Sequence, residues 1–346
     1  LFGAILLTCN LSPAAGGYQV FVSNERAGNL TVINGADFKV TGTIPVGNRP
    51  RGIHASPDGR TVYVALSGTP VSGPPKLDAN GNRIPEKKPA DDDNFEPDKS
   101  ADGIGLVDVA SEMFLRKIPA GSDPEQFSLS ADGKQLYVSN EDAGTASVLD
   151  IASGKVAHTV PVGLEPEGVA TRPDGKVFYV TCESTGEVYV VDPQAGRAIT
   201  HFTVGGRPRS AEFLADGSRA FIPSESSGEL HVIDAVNHQR LQTLALPKDS
   251  RPMCVKVAPD GKKIYVSTGR GGTVCVFDVK ALGLRGAIKV GARPWGIAIS
   301  PDGKFLFAAN GLSDDVSVVD LATEQEVARV KSAGGPWGVV IVPDAK

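Results

Sequence analysis

The sequence predicts an all-β chain, a seven-bladed β-propeller of four-stranded antiparallel blades, and three observations carry that expectation. First, a Pro-Asp-Gly turn or a close variant recurs, with its Asp at Asp58, Asp132, Asp174, Asp216, Asp260, Asp302 and Asp344, in steps of 74, 42, 42, 44, 42 and 42 residues. A period held near 42 marks a repeat architecture, and the step of 74 is one period plus an insertion of 32 residues. Second, each period holds four strand-like runs, the content of one blade. Third, the ends are out of phase: the run from Tyr18 has no inner strand before it, and the run 337–342 has no partner after it. Pairing the two closes the ring and leaves no half-blade edge open.

The runs of the last full period show the pattern: GIAIS (296–300), FLFAA (305–309), VSVVD (316–320) and EVARV (326–330). Pro301 presets φ at the first central turn position, and Gly303 supplies the left-handed residue that closes a hairpin. The composition agrees, with 40 Gly, 25 Pro and only 6% aromatic residues among 346, as suits many short strands joined by tight turns. A net charge of −5 gives no global positive field, which disfavours nucleic acid as a partner. Four scattered cysteines without a C-x-x-C pair argue against a disulfide framework, a zinc ribbon or covalent haem.

Two segments stand outside the repeat, so residues 18–346 are expected to form one domain behind a leader at 1–17. The opening LFGAILLTCNLSPAAGG is similar to the apolar part of a secretory signal, cleaved near Ala14 or lipidated at Cys9, and predicts an exported or periplasmic protein. Lipidation at Cys9 is the one expected contact with a membrane, and the chain is expected to be a monomer. The insertion, about 67–100, is rich in Pro, Gly and charge and interrupts a loop between second and third strands. On this topology it is a candidate lid; its acids Asp91, Asp92, Asp93 and Glu96 lack calcium-loop spacing and read as a solvated charge run.

The strings YVSN, VSVVD, TIPVG and PDG at fixed offsets resemble the YVTN-repeat propellers. Within that family, RPRGIHASPDG, ADGIGLVDV, GSDPEQFSLS, GLEPEGVATRPDG and GGPWGV are similar to exported propellers associated with pyrroloquinoline-quinone (PQQ)-dependent alcohol catabolism. The resemblance implies a non-enzymatic accessory or binding protein serving a quinone-dependent oxidation, with PQQ itself as a candidate ligand. Two other readings stand beside it: a propeller hydrolase such as a lactonase, by fold alone, and a cell-surface interaction protein.

The candidate site follows from the repeat. Aligned on its Pro, the entry to each inner strand reads R-P-R (49–51), D-P-E (123–125), E-P-E (165–167), R-P-R (207–209), R-P-M (251–253), R-P-W (293–295) and G-P-W (335–337). Each tripeptide enters beside the central axis, so together they should ring the channel mouth. Arg51, Glu125, Glu167, Arg207, Arg209, Arg251, Arg293, Trp295 and Trp337 are the candidate binding residues. Guanidinium groups grip carboxylates and an indole face stacks on a planar ring, which suits a small anionic aromatic ligand bound toward the basic arc. A dipolar patch on a periplasmic partner protein would fit the same ring, and interblade ion pairing with packed indoles is the structural alternative. Glu25, Glu141, Glu183 and Glu225, after the second strands, are expected to sit too far out, one per blade, to hold a metal. The histidines share no metal-ligand spacing, His54 alone is placed near the channel, and no G-x-S-x-G nucleophile motif occurs.

Overall fold

The computed structural model describes residues 17–70 and 97–344. Seven four-stranded antiparallel sheets make seven blades, so the expected architecture holds. Blade 1 joins the last strand, Pro336–Pro343, to Tyr18–Asn24, Asn29–Asn34 and Val40–Pro45. Tyr18 pairs with Pro343 and Asn24 with Pro336, so the chain's two ends share one sheet. Blade 2 runs from Ile53–Ala55 to Met113–Ile118, blade 3 from Pro124–Leu129 to Lys155–Pro161, and blade 4 from Pro166–Thr171 to Arg197–Thr203. Blade 5 runs from Glu212–Phe213 to Gln239–Ala245, blade 6 from Pro252–Val257 to Leu284–Lys289, and blade 7 from Pro294–Ile299 to Gln325–Lys331. The expected leader segment with Cys9, and most of the insertion with its candidate acids, lie outside the described residues. No helix among the described residues is long and apolar enough to cross a membrane.

The recurrent turn has a clear chemistry. In blade 7 the Gly303 N–H donates to the Ser300 carbonyl at 2.8 Å, and Gly303 takes φ of 69°. The Asp302 carboxylate accepts from the Ser300 hydroxyl at 2.6 Å and from the Lys304 N–H at 3.1 Å. Each residue type of the turn therefore answers a backbone need.

Second strands are buried along nearly their whole length, because each sheet is covered on both faces by its neighbours. Seven apolar clusters result, each shared by two adjacent blades. Tyr179 and Val190 of blade 4, for example, pack on Phe213 and Ile222 of blade 5. The YVSN string adds polar clasps to this packing. The hydroxyls of Ser23, Ser139 and Ser267 donate to the carbonyls of Arg51, Glu167 and Trp295 in the next blade, at 2.6, 2.6 and 2.5 Å. The amides of Asn24, Asn140 and Asn310 donate within the blade to Thr31, Ser147 and Ser317, each at 2.9 Å.

Cys182, Cys254 and Cys275 are free. Cys254 and Cys275 lie on the first and third strands of blade 6, with Lys263–Thr268 between them, roughly 9–10 Å apart at ordinary strand spacing and beyond disulfide reach. Thiol titration of the folded chain under non-reducing conditions should therefore find no bridge between them. A Cys254–Cys275 disulfide would contradict the blade 6 strand order.

Candidate active site at the channel mouth

The residue preceding the entry Pro takes a left-handed backbone in every blade. Its φ is 43° at Arg49, 51° at Asp123, 50° at Glu165, 59° at Arg207, 54° at Arg251, 56° at Arg293 and 71° at Gly335. For a non-glycine residue this costs about 1–2 kcal/mol. The conformation turns the entry carbonyl toward the end of the second strand of the same blade. There it accepts an N–H: Glu141 to Asp123 at 3.1 Å, Glu183 to Glu165 at 2.8 Å, Glu225 to Arg207 at 2.8 Å and Glu25 to Gly335 at 2.8 Å. Entry and exit side chains are thereby brought side by side.

That pairing corrects the expectation that the exit glutamates sit too far out. Arg51, only 1% exposed, places its guanidinium 2.5 Å from Asp123 and 3.5 Å from Glu141, and also pairs with Glu125. Arg209 pairs with Glu167 and Glu183 of blade 4 and, at 2.5 Å, with Glu225. Arg207 pairs with Glu183 and, at 3.2 Å, with Glu225. Arg49 binds Glu25 at 2.9 Å. The acidic and basic arcs read along the chain are thus stitched together, across the blade 2–3 and blade 4–5 boundaries.

Between these clasps, at the blade 3–4 boundary, carboxyl groups crowd together. Burial, reinforced by the charges of Asp123, Glu183 and Glu165 and opposed by Arg51, pushes the Glu141 carboxyl up to about 7. Its side chain remains 29% exposed, so it meets water. Glu167 is driven well above the ordinary carboxylate range by burial and then by Glu183. For Glu183, burial is outweighed by Arg209, by the hydrogen bond from Glu167 and by Arg207, which together hold it below the ordinary value. Burial also raises Glu225, but Arg209 and Arg207 bring it down to about 2. One accessible carboxyl with a near-neutral pKa therefore sits among neighbours fixed as a buried acid and as paired carboxylates.

Acceptor atoms of Asp123, Glu125 and Glu141 lie within 4.8 Å of one another, a spacing that fits a metal ion. The Arg51 guanidinium reaches all three, so the cluster already carries its cation.

The tryptophans differ from their expected role. Trp295 and Trp337 stack on each other, centroids 5.2 Å apart and planes 24° apart, and Trp337 is 6% exposed. Arg209 and Arg293 lie over the Trp295 ring, 5.5 and 5.1 Å from its centroid. The indole faces are thus engaged by protein groups, because desolvation at the blade 7–1 contact favours packing over display. Arg251 and Arg293 line a separate cavity between blades 6 and 7. His54 does reach the channel, at a cavity of about 300 Å³ bounded by inner strands. Burial, with Lys256 nearby, lowers it to about 3, and its ring packs edge-on against Phe127 at 5.0 Å. It is a neutral, packed histidine.

Known proteins share this architecture. Residues 168–333, a little under half of the chain and covering most of blades 4 to 7, match the family model "Lactonase, 7-bladed beta-propeller". That stretch carries Glu183, Arg207, Arg209, Glu225, Arg251 and Arg293; Glu167 lies one residue before it, and Glu141 stands in the preceding blade, outside it. No curated protein matches the sequence significantly. Among solved structures, the chain is similar to hydrazine synthase of Kuenenia stuttgartiensis, at 20% identity and a TM-score of 0.71, covering 92% of this chain and 99% of that one. It is also similar to a candidate 6-phosphogluconolactonase of Bacteroides fragilis, at 18% identity and a TM-score of 0.75, covering 96% and 100%. A candidate 6-phosphogluconolactonase of Bacteroides uniformis gives 19% and 0.72, covering 95% and 100%. At these identities the structures share the fold. The lactonase match overturns the expectation of a non-enzymatic, quinone-linked accessory protein and favours the hydrolase alternative.

Proposed function

We propose that this chain is a propeller hydrolase that opens lactones at the channel mouth. The observation that carries the reading is Glu141: a water-accessible carboxyl raised to about 7, held 3.5 Å from the Arg51 guanidinium and crowded by fixed acids. The lactonase family match supports it. General-base catalysis is most effective when the base titrates near the working pH. In its ionised form Glu141 takes a proton from a water as that water's oxygen bonds to the lactone carbonyl carbon. The ring C–O bond then breaks, and the proton passes from Glu141 to the departing oxygen, leaving a hydroxy acid. We assign the carbonyl oxygen to Arg207, which has 21% of its side chain exposed and pairs with Glu183, one of the carboxyls that bear on Glu141. Arg51 and Arg209 act as positioning residues, holding the carboxyls in place.

A neutral aldonolactone and its phosphorylated counterpart, followed by pH-stat, test the reading. The intact chain should hydrolyse at least one above the buffer rate. Glu141→Gln keeps the shape but cannot accept a proton, so kcat should fall by roughly 10²–10⁴-fold with KM little changed. No hydrolysis by the intact chain, or an equally active variant, would overturn the proposal.

A further inference from the structure

The cavity between blades 6 and 7 measures about 850 Å³ and opens beside the mouth. Its walls are the blade 6 loop at 269–273, the chain entering blade 7 at 289–293, and Leu312 with Ser313. Arg251, Arg270, Lys289, Arg293 and Arg329 line it, against a single carboxylate among the described residues, Glu225. Glu225 is already bound by Arg207 and Arg209, and Arg329 by Glu326 at 2.8 Å. Among the described residues, Arg270, Lys289 and Arg293 take part in no ion pair. Arg270, Lys289 and Arg293 thus bring three like charges to one concave site, and their mutual repulsion is relieved when an anion enters.

The local backbone leaves recognition to these side chains. The N–H groups of Gly269, Arg270, Gly271 and Gly272 donate to the carbonyls of Arg251, Ser250, Ser250 and Thr268. Those of Gly291 and Ala292 donate to the hydroxyls of Ser317 and Ser313. Arg251 and Arg293 are held in left-handed conformations at a position where blade 1 uses Gly335. Burial, together with Arg209 and Arg270, lowers the Arg293 pKa despite Glu225 and Glu25. Met253, Val290 and Leu312 give the cavity an apolar side for a carbon skeleton.

We propose that this cavity binds a small, multiply charged oxyanion, a phosphate or polycarboxylate group, gripped by Arg270, Lys289 and Arg293. The site stands apart from the hydrolase reading, because it depends on charge and shape and not on Glu141. Calorimetric titration of the full chain at low ionic strength tests it, with inorganic pyrophosphate and citrate as probes. One site per chain is expected, and the tighter of the two probes identifies the anion as phosphate or carboxylate. Arg293→Ala and Arg270→Ala should each weaken that probe roughly 10- to 100-fold, the range of a lost charge-assisted hydrogen bond. Arg293→Lys should fall between, keeping charge but losing the fork. Lys289→Gln, on an exposed outer strand, supplies a variant whose folding is not in question, and Arg116→Ala on blade 2 should change nothing. Absence of binding by the intact chain at millimolar probe, or equal affinity in the Arg270→Ala/Arg293→Ala double variant, would overturn the site.

Discussion

A chain ending at Gly335 does not fold. The deletion removes Pro336–Pro343, the inner strand of blade 1, and leaves Tyr18–Asn24 with one edge bare at the ring's closing point. Trp337, Val339 and Val342 are 6, 8 and 1% exposed, and each buried side chain of this kind contributes about 1.5–3 kcal/mol. Their joint loss approaches the whole net stability of an ordinary domain, about 5–15 kcal/mol. The clasp from the Gly338 N–H to the Ser23 hydroxyl, at 2.9 Å, goes with them. An open repeat array would fray one unit at a time; a closed ring loses every blade when one is opened. Circular dichroism should show loss of the β signal, and limited proteolysis should digest all blades together. A stable, protease-resistant core over blades 2 to 7 would show that closure is dispensable.

Arg209→Ala carries the second large effect. Arg209 has 9% of its side chain exposed and serves three carboxyl groups, so its removal leaves Glu183 and Glu225 sharing Arg207 alone and Glu167 with no cation. Losing one member of such a cluster costs about 3–5 kcal/mol. The sign of its pH dependence follows from Glu225, whose folded pKa of about 2 lies below its ordinary 4.5. A depressed carboxyl stabilises the fold fully above about 4.5 and loses that contribution as pH falls through about 2. The gap between intact chain and variant should therefore be full at pH 7 and narrow between about 4.5 and 2. Denaturant melts across that range measure it. A gap that stays constant, or is absent at pH 7, would mean that the pairing contributes no net stability.

The blades, their turns and the closure were legible in the sequence because each rests on local chemistry: a Pro and a Gly at fixed offsets, and apolar runs of strand length. The entry residues were legible for the same reason, since the Pro marks them. Glu141, Glu183 and Glu225 were misplaced because what moves them inward is a hydrogen bond from their N–H groups to the entry carbonyl, a contact some 18 residues away along the chain. The left-handed residue before each entry Pro is its signature only once coordinates exist. Charge order along the chain also misled. Long guanidinium side chains of Arg51 and Arg209 cross a blade boundary to reach Asp123 and Glu167, erasing the separation of acidic and basic arcs. Trp337 stood among the candidates by position alone, and its burial against Trp295 is a tertiary fact. The repeat strings described a scaffold, and a scaffold does not dictate its chemistry.

Glu141 also links activity to stability. Its folded pKa of about 7 lies above the ordinary 4.5, so between those values the folded chain holds a proton that the unfolded chain has released. Stability from this group is full below about 4.5 and is lost as pH rises through about 7, whereas a base at the mouth works only above that pH. The measurement that tests the account most directly is therefore kcat for lactone hydrolysis from pH 5 to pH 9, in the intact chain and in Glu141→Gln. In the intact chain the rate should climb with pH and level off above about 7, with the limb abolished in the variant. An intact chain whose rate is flat across this range, or a variant that keeps the same limb, would contradict it.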